Sequence, residues 1–227
     1  HIMKRLGFFI LLFAAALTAS AQIRIATPNT EMVLSAEQGK TLKIQYFGAR
    51  LSDADLANLQ AAGGPDHNAY QPYGFNCASE PAFAATHCDG NMSTVLTVES
   101  ISKAEEPTAE VTRIRLKDTV YPLYVTVCYR AYKDVDMIET WTEIENLEKK
   151  PVTLTRFDSG YLPVRVGDVW LSHLHGTWAA EGRLVQEPLD RGMRVIKNKD
   201  GSRNSHTDHA EVMFSLDGKP QENSGRV

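Results

Sequence analysis

The sequence predicts an all-β protein, an antiparallel β-sandwich with one short helix. Apolar and polar residues alternate in many segments with the period of two that is typical of half-buried strands. Gly, Pro, Asp and Asn separate these segments, as expected for turns between strands. β-Branched and aromatic residues are frequent within the segments, which favours strands over helices.

Strand patterns recur from residue 94 onward. Leu123, Val125, Val127 and Tyr129 share one face of a strand, and this face is predicted to be buried. We expect the sandwich to be incomplete at its C-terminal end, because the sequence stops soon after the last strand pattern. The predicted strands are Thr94–Ser100, Val111–Lys117, Leu123–Tyr129, Asp136–Asn146, Val152–Phe157, Val169–Leu174, Met193–Ile196 and Glu211–Leu216.

One helix is predicted in the first third of the chain. Ser52 is a suitable N-cap, Asp55 follows three residues later, and an apolar pattern continues to Ala61. Gly63-Gly64-Pro65 then predicts the end of the helix.

The first residues are expected to be a leader and not part of the fold. Residues 1–2 precede Met3 and are typical of a cloning remnant. A basic pair, an apolar run and small residues follow in the order of a secretory signal peptide, cut after Ala21. The run has about 12 residues, whereas a membrane span needs roughly 20. We therefore expect a leader over 1–21 and one domain over 22–227, periplasmic or extracellular, with no membrane partner.

Composition excludes several classes of protein. Of 227 residues, 43% are hydrophobic and 23% are charged, unlike collagen-like, coiled-coil or wholly disordered chains. The formal net charge of −4 argues against nucleic acid as a partner, because proteins that bind phosphate backbones normally carry a basic excess.

The three cysteines are separated widely enough to exclude Cys-x-x-Cys sites, and with them a zinc ribbon or a thioredoxin-like centre. Cys77 and Cys88 flank a loop and could form a disulfide in an oxidising compartment, or could remain free thiols. Cys128 lies in a strand pattern and is predicted to be a buried, unreactive thiol.

Histidines are the first candidates for chemistry. His173 and His175 lie on one face of a predicted strand, and His206 or His209 could add a third ligand in a cupin-like metal enzyme. The glycine-rich turns and the following Glu of a cupin are missing, so structural or surface roles are favoured. We therefore expect no metal and no cofactor.

The carboxylates and serines give no catalytic signature. No Gly-x-Ser-x-Gly motif is present. Glu139, Glu143 and Glu145 alternate along one strand and are interpreted as its solvated face.

An irregular segment, residues 66–76, contains three aromatic residues together with Pro, Gly and several amide or acidic groups. Aromatic faces beside planar polar groups are typical of sugar contacts, so the segment could bind a carbohydrate. Alternatively, its tyrosines could pin the loop to the core. Both interpretations remain open at this point.

An ordered set of short motifs resembles the N-terminal β-supersandwich domain of family-36 glycoside hydrolases, the α-galactosidases. The set extends over nearly the whole chain after the leader. Its clearest members are Tyr46-Phe47-Gly48, Tyr70-Gln71-Pro72-Tyr73-Gly74, His87-Cys88-Asp89-Gly90-Asn91, Ile138-Glu139-Thr140-Trp141 and Leu174-His175-Gly176-Thr177-Trp178.

The resemblance implies that this chain is a non-catalytic domain of a secreted, retaining α-galactosidase. In that family the catalytic carboxylates belong to a (β/α)₈ barrel that follows this domain, and the nucleophile is the Asp of a Lys-x-Asp motif. The pairs Lys117-Asp118, Lys133-Asp134 and Lys199-Asp200 lack that spacing. We therefore expect no catalytic residue in this chain, which would pack on its barrel and form homo-oligomers, with α-galactosides bound by the intact enzyme.

The resemblance also implies a set of substrate-binding residues. In tetrameric members the loop that matches residues 66–76 reaches the sugar pocket of a neighbouring subunit. Many members carry Asp-Phe-Arg soon after the Tyr-Gly pair, where this chain has Phe75-Asn76-Cys77. The candidate contacts at the rim of the neighbour's pocket are Asp66, Tyr70, Tyr73, Phe75 and Asn76. The alternatives are a free-standing carbohydrate-binding module and the cupin-like enzyme.

Overall fold

The computed structural model describes residues 22–61, 67–74, 79–164, 167–190, 192–198 and 207–222. The chain divides into two compact units, His1–Pro163 and Val164–Val227. The expected leader and the predicted helix stop at Gly63-Gly64-Pro65 lie outside the described residues. Within the described ranges, no helix has the length and apolar character that crossing a bilayer requires.

The described residues of the first unit form antiparallel sheets and one helix. In chain order the elements are β1 (Gln22–Ala26), β2 (Thr30–Ser35), β3 (Lys43–Ala49), α1 (Asp53–Ala61), β4 (His67–Asn68), β5 (Phe83–Thr86), β6 (Leu96–Glu105), β7 (Ala109–Asp118), β8 (Leu123–Tyr132), β9 (Ile138–Asn146) and β10 (Thr153–Phe157). The sheets have the strand orders β1-β2-β3-β4, β6-β7-β8-β9 and β10-β5.

The two four-stranded sheets share one hydrophobic core, as in a β-sandwich. The predicted apolar face of β8 is buried, and alternate residues of β7 extend it. Side chains of β1, β2 and β3 belong to the same cluster of buried residues. Apolar faces of antiparallel sheets are removed from water when they pack on each other, so the alternation in the sequence leads directly to this architecture.

A buried ion pair fixes the chain where it enters the helix. The side chain of Glu31 is fully buried, pairs with Arg24 at 2.8 Å and accepts a hydrogen bond from the Leu51 amide at 2.6 Å. Ser52 Oγ then accepts a hydrogen bond from the Asp55 amide at 3.2 Å and donates one to the Asp55 carboxylate at 2.6 Å. This capping confirms the predicted start of α1.

The second unit contains one antiparallel sheet of the order β12-β11-β13. Its strands are β11 (Trp170–His175), β12 (Arg183–Pro188) and β13 (Asp208–Ser215). Leu171 in the central strand is buried, whereas Leu184 and Phe214 in the outer strands are exposed.

Most of the predicted strands are confirmed, with shifted ends. The prediction for Met193–Ile196 is wrong, because this stretch pairs with no strand in the described part of the unit and Met193 and Val195 stay exposed. The strands β1 to β5 and β12 have no counterpart among the predictions.

The cysteines differ in their surroundings. Cys128 is buried, as predicted, and burial raises the pKa of its thiol to about 12, which keeps it protonated and unreactive. Cys88 is exposed and carries a free thiol, and Cys77 lies outside the described residues.

A buried His–Glu pair ties the chain after β5 to the chain after β9. His87 Nδ1 and Glu148 Oε1 are 2.7 Å apart, and their side chains are 0% and 3% exposed. The His87 ring stacks on Tyr121 with 3.7 Å between ring centroids. Burial by itself would raise the pKa of Glu148, but hydrogen bonds from His87 and Cys88 outweigh it and hold that pKa below its usual range.

The substitution Glu148→Gln is expected to lower the free energy of unfolding near pH 7 and to have less effect in acid. A carboxylate whose pKa is lowered by folding contributes stability above its unfolded pKa of about 4.3, and this contribution disappears as the pH falls through the folded pKa. Urea denaturation of both proteins from pH 7 to pH 3 measures the difference. Glu37→Gln, at an exposed position, is the control. A deficit that stays constant with pH would contradict the prediction.

Candidate functional site: an aromatic loop and a cleft

The structure separates the two tyrosines of the predicted sugar-contacting loop. Tyr70 is only 3% exposed, and its hydroxyl donates a hydrogen bond to the Asp158 carbonyl at 2.8 Å. Burial raises the pKa of Tyr70 to about 12. Tyr73 is 44% exposed. Tyr70 therefore pins the loop to the core, whereas the ring of Tyr73 is accessible to a ligand.

Backbone hydrogen bonds hold the loop on both sides of Tyr73. The Tyr73 amide donates to the Phe83 carbonyl at 2.8 Å, and the Thr94 amide donates to the Tyr73 carbonyl at 3.1 Å. The Ala82 amide donates to the Gln71 carbonyl at 2.8 Å. The exposed ring therefore stands on a fixed backbone, which reduces the conformational entropy lost when a ligand binds.

The other candidate rim residues, Asp66, Phe75 and Asn76, lie outside the described residues. We call residues 66–76 the aromatic loop. In its described part, residues 67–74, the exposed aromatic ring is that of Tyr73.

Gly74 allows the loop to turn beside Tyr73. Its φ is +90°, and a Cβ at this position would lie 2.6 Å from the Cα of Ser93. Glycine is required here both by the left-handed backbone and by the close approach of another chain segment.

A cleft of about 360 Å³ opens in the first unit. One wall comes from β2 and β3, another from β8 and β9, and residues 160–162 complete it. Its lining residues are Thr27, Thr30, Met32, Phe47, Val127, Tyr129, Asp136, Ile138, Thr140, Gly160, Tyr161 and Leu162.

Asp136 is the one carboxylate among the residues that line the cleft. Its oxygens accept hydrogen bonds from the Asn29 side chain at 2.8 Å, the Asn29 amide at 2.7 Å and the Thr27 hydroxyl at 2.8 Å. These hydrogen bonds lower the pKa of Asp136. Retaining glycosidases need a second carboxyl group about 5–5.5 Å away, so the described lining does not provide that catalytic pair.

The glutamates of β9 form ion pairs on the outer face of their sheet. Glu139 pairs with Arg130 at 2.6 Å, and Glu145 pairs with Arg115. Both glutamates are exposed, in agreement with the predicted solvated face.

The histidines of the cupin-like alternative lie close to carboxylates. His175 Nδ1 and His173 Nδ1 lie 2.9 and 3.9 Å from one oxygen of Asp208. His209 Nδ1 lies 3.6 Å from Glu211, and His206 is outside the described residues. In the described part of the chain, no group of three or more His, Cys, Asp or Glu side chains is placed to hold a metal ion.

Residues 40–227 match the family model described as the glycosyl hydrolase family 36 N-terminal domain. The chain belongs to this family. The match covers the aromatic loop, most of the cleft lining, the first unit from residue 40 onward and the second unit, and it confirms the family that the ordered motifs indicated. The antiparallel sheets and the one helix that the described residues form agree with the predicted supersandwich fold.

Solved structures similar to this family 36 domain include an α-galactosidase AgaA variant from Geobacillus stearothermophilus in complex with raffinose. That likeness has 21% identity and a TM-score of 0.73, and it covers 85% of this chain and 31% of that one. The α-galactosidase from Lactobacillus brevis matches with 20% identity and a TM-score of 0.73, and the match covers 87% of this chain and 31% of that one. At this identity the likeness shows the fold.

The galactosidase domain of the α-galactosidase-sucrose kinase AgaSK is also similar, with 20% identity and a TM-score of 0.73. That match covers 86% of this chain and 32% of that one. The chain thus spans about a third of the length of these solved relatives. No curated protein sequence matches it.

The cleft was missed by sequence reasoning. Thr30, Met32 and Phe47 come from β2 and β3, which were not predicted as strands. The signal in the sequence was Tyr46-Phe47-Gly48, one member of the ordered set of motifs that indicated the family, and it did not show which side chains would line a cleft.

Gly74→Ala is expected to destabilise the domain more than Gly90→Ala. Both glycines have a positive φ, but a Cβ at Gly90 would meet nothing within 4 Å. The left-handed backbone costs about 1–2 kcal/mol at either site, and the contact with Ser93 adds about 1–3 kcal/mol at Gly74.

Chemical denaturation of the two variants measures this difference, and the matched Gly90 variant isolates the contribution of the Ser93 contact. Equal losses of stability would show that the loop does not pack against Ser93 as described.

Proposed function

We propose that this chain is the non-catalytic N-terminal domain of an exported, retaining α-galactosidase. The intact enzyme would hydrolyse terminal α-galactosides. The observation that carries the proposal is the family match over residues 40–227. The similar solved structures include α-galactosidase AgaA variants in complex with raffinose and with stachyose.

The cleft supports a non-catalytic role. Its single lining carboxylate is engaged by Thr27 and Asn29, so it is poorly suited to attack a glycosidic carbon or to transfer a proton. The bond-breaking carboxylates would be supplied by a catalytic barrel on which this domain packs.

The aromatic loop supports a role in shaping the sugar pocket. An exposed aromatic ring on a fixed backbone can stack against the apolar face of a sugar at little entropic cost. We propose that Tyr73 makes this contact at the rim of a pocket in a homo-oligomer, with Asp66, Phe75 and Asn76 as further candidates. Tyr70 would act indirectly, by anchoring the loop.

The proposal is tested by assaying two proteins, this 227-residue chain and the full product of its coding sequence. The full product is expected to hydrolyse 4-nitrophenyl α-galactoside and raffinose, and to release α-galactose first, as a retaining mechanism requires. The chain alone is expected to hydrolyse neither substrate, because its described cleft provides no pair of carboxyl groups.

Hydrolysis by the chain alone, at the rate of the full product, would contradict the non-catalytic assignment. A full product that hydrolyses other glycosides but no α-galactoside would contradict the assigned substrate class.

A further inference from the structure

The cleft contains a tyrosine hydroxyl that has no hydrogen-bond partner among the described residues. Tyr129 is 4% exposed and lines the cleft. Its phenol makes no hydrogen bond with any described residue, whereas the comparably buried Tyr70 bonds to the Asp158 carbonyl. The hydroxyl itself stays accessible from the cleft, so it can donate and accept hydrogen bonds with a ligand there.

Two further hydroxyls of the lining, those of Thr30 and Thr140, also have no hydrogen-bond partner among the described residues. They come from β2 and β9, whereas Tyr129 comes from β8. Hydroxyl groups both donate and accept hydrogen bonds. A ligand that satisfies all three would itself carry several groups able to donate and accept.

The rest of the lining defines the ligand's charge and surface. Among the described residues that line the cleft, Asp136 is the only charged one, and none is a Lys, Arg or His that could pair with an anion. Phe47 and Tyr161 are aromatic, and Met32, Val127, Ile138 and Leu162 are aliphatic. The cleft therefore suits a neutral molecule with an apolar face, and it disfavours phosphates and carboxylates.

We propose that this cleft is a binding site for a neutral pyranose sugar. Its volume of about 360 Å³ lies at the lower end of the range of roughly 300–1,000 Å³ that is usual for small-molecule sites. The ring hydroxyls of the sugar bond to Tyr129, Thr30 and Thr140, and its apolar face lies against Phe47 or Tyr161. Galactose is the expected sugar, a choice that rests on the proposed function.

The experiment measures binding, by isothermal titration and by two-dimensional NMR, of galactose to the 227-residue chain and to its Tyr129→Phe variant. The wild-type chain is expected to bind with a millimolar Kd and to shift the resonances of the cleft residues. Loss of one hydrogen bond is expected to weaken binding about three- to ten-fold. The stability of the variant is expected to remain that of the wild type, because the hydroxyl has no protein partner to lose.

Tyr121→Phe is the control. It removes a tyrosine hydroxyl that donates to the Asp89 carboxylate at 2.7 Å and does not line the cleft, so it is expected to leave galactose affinity unchanged. Thr30→Val, which replaces a hydroxyl by a methyl group of similar size, is expected to weaken binding without loss of the fold. Galacturonate is expected to bind more weakly than galactose, because its carboxylate would approach Asp136.

Absence of saturable binding overturns the proposal. Binding that Tyr129→Phe and Thr30→Val leave unchanged, or that Tyr121→Phe weakens equally, also overturns it, because the sugar would then lie elsewhere or respond to general destabilisation. These measurements involve no hydrolysis, so the binding site and the proposed function can fail independently.

Discussion

The apolar inner face of β8 is the constraint on which the rest of the first unit depends. Five alternate residues of this strand are buried, and β7 and β9 pair with it on either side. β8 lies in the middle of its sheet, and its Val127 and Tyr129 both join the core and line the cleft. A polar residue introduced on this face would therefore disturb the packing of the sandwich and the proposed binding site together.

Strands with one buried face could be predicted from the sequence, and strands without alternation could not. β6 to β9 alternate because one face meets the core and the other carries ion pairs in water. In β2, Met32, Val33 and Leu34 are all buried, and the neighbouring buried charge is Glu31, whose partner Arg24 lies on another strand. Apolar and polar residues also alternate from Met193 to Ile196, and this pattern wrongly predicted a strand. A strand forms only where a neighbouring strand pairs with it, and the local sequence does not show whether one is present.

The loop and the cleft show where local sequence ceases to be informative. Tyr70 and Tyr73 stand in the same irregular, aromatic segment, and their different roles depend on Asp158, which is 88 positions further along the chain from Tyr70. Tyr129 was predicted on the buried face, but its unpaired hydroxyl follows from which side chains of β2, β3 and β9 surround it. A family motif located the loop in the chain, whereas the cleft was not predicted, and tertiary contacts decide what each side chain can bind.

The central claim is that this domain shapes and supports a glycosidase whose bond-breaking carboxylates lie in another part of the enzyme. Covalent trapping tests it most directly. The full product of the coding sequence is treated with an activated fluorinated galactoside, which accumulates the glycosyl-enzyme intermediate of a retaining mechanism, and the labelled peptide is identified by mass spectrometry. The account predicts a labelled Asp outside residues 22–227. A label on any Asp or Glu within that range would contradict it.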